Sequence, residues 1–162
     1  SVHRGRGGTG QLGVSLNPFV PKPHTPFEFS PMPPLAELKR RRGRIASGLG
    51  KLGGVTVSGI SPRRALLQAW LARADESIAP MLEACRGAWP PPGGLLQAHA
   101  PGWQAAVIEP WSGGRDVPWR LVQPGLSPAF LKRERQRADG ARTTRPCAAP
   151  RCPACDACAG LT

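Results

Sequence analysis

Cys147, Cys152, Cys155 and Cys158 stand near the end of this chain at the spacing C-x4-C-x2-C-x2-C. Two residues between thiolates make a tight turn that aims both sulfurs at one ion, so the pattern is that of a metal site. Arg145 precedes it and Arg151 lies within it, and their guanidiniums favour thiolates and offset the negative charge of a cluster. A zinc ribbon draws its C-x2-C pairs from separate hairpins. Here Cys152, Cys155 and Cys158 crowd into seven consecutive residues, which favours an iron–sulfur cluster, of the 4Fe–4S type, over zinc. Cys85 is different in kind: it falls on the apolar stripe of a predicted helix and reads as a buried small hydrophobe.

The elements that must position this tail are short and proline-punctuated. Residues 1–12 are Gly/Arg-rich and read as a flexible start. Residues 13–19 alternate apolar and polar, with Val14 and Leu16 as anchors, and Pro18 fixes the end of a short strand. Residues 21–34 hold six prolines and are expected to form an extended, surface-following loop. A helix is expected from Leu35 to Leu49, with Leu35, Leu38, Ile45 and Leu49 as its apolar positions and residues 39–44 as a basic run. Gly53 and Gly54 end it, and residues 55–57 are a second strand. Ser61-Pro62 and Ser127-Pro128 each place a capping hydroxyl before a proline at the first helical position, so helices follow both. Between them, residues 77–89 are expected to form a helix with Ile78, Met81, Leu82 and Cys85 on one face. Residues 95–107 are expected to form short helical turns.

Composition bounds what such elements can build. Of 162 residues, 20 are Gly and 20 are Pro, and Tyr is absent. Leu, Ile, Val and Phe together make roughly a fifth of the chain, on the disorder-prone side of ordinary composition. A large self-sufficient core is excluded; what folds is small, loop-rich or completed from outside these residues. The longest uncharged run, residues 87–108, contains four prolines and four glycines as well as Gln97, His99 and Gln104, so it is no transmembrane helix. The opening Ser1-Val-His-Arg-Gly-Arg6 has no signal-peptide layout and suggests an internal start. Together with cysteines grouped for metal rather than for disulfides, this points to the cytoplasm.

Residues 14–28, containing Asn17-Pro-Phe-Val-Pro-Lys-Pro-His-Thr-Pro-Phe27, resemble a run late in the catalytic barrel of radical S-adenosylmethionine proteins of the cobalamin-binding-domain-associated type. Ser61-Pro-Arg-Arg-Ala-Leu-Leu-Gln-Ala-Trp-Leu-Ala-Arg73 is similar to the helix after that barrel. Val117-Pro-Trp119 and Gly125-Leu-Ser-Pro-Ala-Phe-Leu131 resemble the next landmarks, and the four tail cysteines resemble the C-terminal cluster of the family. The resemblance implies an α/β fragment: the last strand and loop of a partial (β/α) barrel over residues 13–60, a mostly helical extension over 61–140, and an irregular Cys-rich metal-binding tail over 141–162. It further implies S-adenosylmethionine as a cofactor of the full-length protein, with a cobalamin site, where one exists, outside this segment. Asn17, Lys22 and His24 match the loop at the carboxyl end of the barrel strand, which makes them weak cofactor-binding candidates.

Two departures qualify this. The C-x3-C-x2-C motif that holds the radical-generating cluster does not occur in this sequence, so the chain alone is not expected to be catalytically competent. Arg120-Leu-Val-Gln-Pro124 stands where the family carries acidic residues and a histidine. The partners implied are the remaining, N-terminal barrel portion of the same protein and an electron donor. A competing reading comes from the net charge of +12 and residues 39–44: a basic nucleic-acid-binding module, with RNA as partner and a structural zinc knuckle in the tail. Against it, no aromatics interleave with the basic run to stack bases. A third reading is a degenerate frame with no independent function, its strand at residues 13–19 left without neighbours and with both edges unpaired.

Overall fold

The computed structural model describes residues 10–111 and 117–144. The tail site of Cys147, Cys152, Cys155 and Cys158, with Arg145 and Arg151, lies outside the described residues, as do residues 1–9 of the Gly/Arg-rich start. The described chain is a mixed α/β structure, mostly helical, with one two-stranded parallel sheet.

The sheet pairs β1 (Leu12–Ser15) with β2 (Val55–Ser58) in the register Leu12↔Val55 and Val14↔Val57. The N–H of Leu16 donates to the Ser58 carbonyl at 3.0 Å, extending the ladder by one step. The expected first strand therefore exists, but it is shorter than residues 13–19 and one of its edges is paired. Parallel neighbours need a long crossover, and the intervening segment ends in the helix α1 (Leu35–Gly50), which packs on β2. The alternation seen in sequence survives: Val14, Val55 and Val57 are half-buried, while Gly13, Ser15, Thr56 and Ser58 are exposed. Helix α1 buries Leu38, but Ile45 stays 46% exposed, so its apolar stripe is only partly covered. On its first turn Glu37 accepts hydrogen bonds from Arg40 and Arg41, and these guanidiniums hold its carboxyl down to about 2.

Helix α2 (Pro62–Leu71) starts where the Ser-Pro signal places it, with Ser61 Oγ accepting the Arg64 N–H at 3.3 Å. It carries the core, burying Ala65, Leu66, Leu67, Ala69 and Trp70. Around it pack Met32, Met81, Leu96, Trp103 and Val107.

The helix expected over residues 77–89 is much shorter. A 3-10 turn at Glu76–Ile78, capped by Asp75, leads into α3 (Ala79–Ala84), and the chain then turns through positive φ at Arg86 and Gly87. Left-handed backbone of this kind ends a helix regardless of the apolar spacing beyond it. Met81 and Cys85 are buried as expected, but Leu82 is 44% exposed. The short turns expected over residues 95–107 are α4 (Gly93–His99) and α5 (Ala105–Ile108). The last helix, α6 (Pro128–Asp139), is capped by Ser127 and buries only Leu131. Among the described residues, no helix is long and apolar enough to cross a membrane.

Candidate functional site

The proline-rich segment is mostly half-buried, with Phe29, Pro31 and Pro34 exposed. Pro21 and Met32 are buried, and the Met32 N–H donates to the Val107 carbonyl at 2.8 Å, tying the loop to α5. Six prolines remove donors and fix φ, so the loop can be buried without leaving many unpaired N–H groups. Within it, Thr25 Oγ1 donates to the Lys22 carbonyl at 2.8 Å, and the Glu28 N–H returns to the Thr25 carbonyl at 3.0 Å. His24 sits between these contacts at φ 57°, a left-handed conformation uncommon for a residue with a side chain.

The three sequence-predicted loop residues occupy different surroundings. Asn17, just past β1, accepts the Ile60 N–H on Oδ1 at 2.8 Å and donates from Nδ2 to Ser15 Oγ at 2.9 Å, which pins the chain leaving β1 to the chain leaving β2. Gly59 makes that approach possible: it has φ 126°, and an added Cβ would overlap the Leu16 carbonyl and lie 2.9 Å from Asn17 Oδ1. Asn17 lines a shallow apolar groove of about 230 Å3 with Phe19, Leu38 and Ile45. His24 lines another cavity, of about 390 Å3, with Arg120, Gln123 and Pro128, and its Nε2 is buried without a hydrogen-bond partner among the described residues. Lys22 contributes its carbonyl to the turn.

Two charged residues not singled out by sequence organise the same region. Glu28 Oε2 accepts both the His24 N–H and the Trp119 indole N–H, each at 3.0 Å, joining the loop to a residue 91 positions away. Arg73, at the end of α2, is 6% exposed and spreads its guanidinium over backbone carbonyls: Nη1 donates to Ala106 at 3.4 Å, and Nη2 to Glu28 at 3.2 Å and to Ser30. Burial pulls its pKa below the ordinary value. Both had a signal in the sequence. Glu28 is the first acidic residue of a strongly basic chain, and Arg73 continues the buried Leu66–Trp70 stripe where a hydrophobe belongs. Around them, Trp111 lies 5.5 Å from Trp119, and Phe29 contacts both rings.

No group of three or more metal-ligating side chains exists among the described residues. No protein-family model, no curated protein and no solved structure matches this chain.

Proposed function

We propose that this chain is the C-terminal part of a radical S-adenosylmethionine enzyme and carries an auxiliary iron–sulfur site on Cys147, Cys152, Cys155 and Cys158. The observation that supports this most is the parallel β1–α1–β2 unit. Strand, helical crossover and parallel strand form the repeating unit of (β/α) barrels, and residues 17–27 leave the carboxyl end of β1, the end where such barrels collect ligand contacts. The two strands among the described residues cannot close a barrel, so the reading assigns the other strands to the remainder of the same protein.

Four thiols form a donor set suited to a 4Fe–4S cluster or to zinc. Loaded with the cluster, the tail would supply one-electron transfer, with Arg145 and Arg151 stabilising the thiolates. Radical initiation belongs to residues outside these 162, because the C-x3-C-x2-C motif does not occur in them, and any cobalamin would be held outside this segment. The nucleic-acid reading is weaker, since Glu37 already pairs with Arg40 and Arg41 within the basic run.

Anaerobic reconstitution with iron and sulfide tests the proposal. About four irons per chain are expected, with a reducible paramagnetic signal that Cys152→Ser with Cys155→Ser abolishes. One zinc per chain with no retained iron would overturn the iron–sulfur assignment.

A further inference from the structure

Where α1 meets the proline-rich loop, an apolar groove adjoins a cationic hollow. The chain leaving β1 and the loop contribute Leu16, Phe19 and Pro31 to the groove, and α1 contributes Leu38, Arg41, Arg42 and Ile45, around a volume of about 230 Å3. Phe19 is 63% exposed and Ile45 46%, so two large hydrophobes face water at one concave site. The second hollow, of about 280 Å3, is lined by Glu37, Arg40, Arg41 and Arg44. Arg41 and Ile45 belong to both, so apolar and positive surfaces meet along one face of the helix. From Leu38 to Ile45 the groove follows α1 for about 10 Å, or two helical turns.

Charge decides what such a groove holds. Helix α1 carries Lys39, Arg40, Arg41, Arg42 and Arg44 against one acid, Glu37. That carboxylate accepts from both Arg40 and Arg41, whose side chains are still 65% and 61% exposed. Arg42 and Arg44 form no ion pair among the described residues. The residues outside the described ones hold two acids, Asp116 and Asp156, against five arginines, so as a group they add positive charge. A second copy of a chain of net charge +12 is repelled for the same reason. The complement is therefore an acidic partner. It must also be apolar on one side, because a wholly polar acid would leave Phe19 and Ile45 facing water. A nucleic acid fits less well. Phe19 is the one aromatic ring lining the groove and offers a single stacking face, and ribose and phosphate would lie against leucine, isoleucine and proline side chains.

We propose that this face is a docking site for an acidic amphipathic helix of another protein, its apolar side chains seated in the groove against Phe19 and Ile45 and its carboxylates on Arg41, Arg42 and Arg44. Apolar side chains at i, i+3, i+4 and i+7 span two turns, which is the length of groove between Leu38 and Ile45. The surface is built within residues 16–45 and stands whichever metal the tail cysteines hold.

A fluorescein-labelled peptide of sequence EDLEELLEDFEE serves as the probe, titrated with the full chain and read by anisotropy. The comparisons are the same peptide with Gln and Asn for its acids, the same peptide with Ser for its Leu and Phe, and single-stranded oligouridylate. Saturable binding of the probe is expected, at least about tenfold tighter than either altered peptide and weakened as salt rises. Ile45→Ser changes an exposed side chain, so the fold is retained while affinity falls about tenfold. Arg42→Gln is expected to weaken binding and to flatten its salt dependence. Leu82→Ser alters an exposed hydrophobe that does not line the groove and should bind like the parent. No saturation at millimolar concentration, equal binding of the probe and the serine peptide, or an Ile45→Ser variant that binds like the parent would each overturn the proposal. Oligouridylate that binds more tightly than the probe, and equally to Ile45→Ser and parent, would assign the face to nucleic acid and overturn it as well.

Discussion

Asn17 illustrates how a residue at the right end of a strand acquires a structural task. Its carboxamide accepts the Ile60 N–H and donates to Ser15, bridging the two chains that leave the sheet. Ile60 immediately precedes the Ser61 cap of α2, so this one side chain links the sheet to the helix that carries the core. A neutral hydrogen bond of this kind contributes about 1 kcal/mol net, and loss of the partner leaves a donor to find water. Asn17→Ala is expected to lower stability by about 1 kcal/mol, whereas Asn17→Asp keeps the acceptor for Ile60 and should recover most of it. Urea unfolding followed by circular dichroism measures both. Equal losses in the two variants would mean that the acceptor is not what matters. The same logic separates His24, whose ring nitrogen Nε2 is buried and has no partner among the described residues, from Asn17, whose polar atoms are satisfied.

Among the elements, the two Ser-Pro starts formed as the sequence predicts, because a cap is a local device: hydroxyl, fixed proline φ and a free N–H three residues on. Ser61→Ala removes the acceptor for the Arg64 N–H and should cost about 1 kcal/mol, seen as a lower thermal midpoint with unchanged native helix content. A midpoint that does not move would show that Pro62 alone starts the helix. The helix over residues 77–89 failed for an equally local reason that periodicity does not register. Ile78, Met81, Leu82 and Cys85 have helical spacing, but the turn through Arg86 and Gly87 takes the chain into the left-handed region. Leu82 is then left facing solvent. The proline-rich loop is half-buried where its composition suggests full exposure. Proline density suggests exposure, yet lost donors are also what permit burial, and only tertiary contacts such as Met32 with Val107 decide between them. Glu28 and Arg73 were legible only as anomalies, a lone acid and a charge within an apolar stripe. Their partners, Trp119 and the Ala106 carbonyl, are too distant in sequence for spacing to reveal them.

At the scale of the molecule, stability is unevenly distributed. Residues fully removed from water (Ala65, Leu66, Ala69, Leu96, Val107) gather around α2, α4 and α5, and the loop is laced onto them through Arg73 and Met32. The sheet stands apart from this core. It has two four-residue strands, no strand beyond either edge among the described residues, and Leu12 60% exposed. A pair of strands without a third is marginal by itself, and local opening costs least where few apolar contacts must break. Amide hydrogen exchange on the isolated chain should therefore separate the two regions. The ladder amides of β1 and β2 are expected to exchange roughly a hundredfold faster than those of α2. If the sheet is one unit of a larger barrel, adding the remainder of the protein should slow the β1 and β2 amides and leave α2 nearly unchanged, because new strands pair at the sheet edges and not at the helical core. Uniform protection across sheet and helices in the isolated chain would instead mark the two strands as a finished element, and the barrel reading would lose its main support.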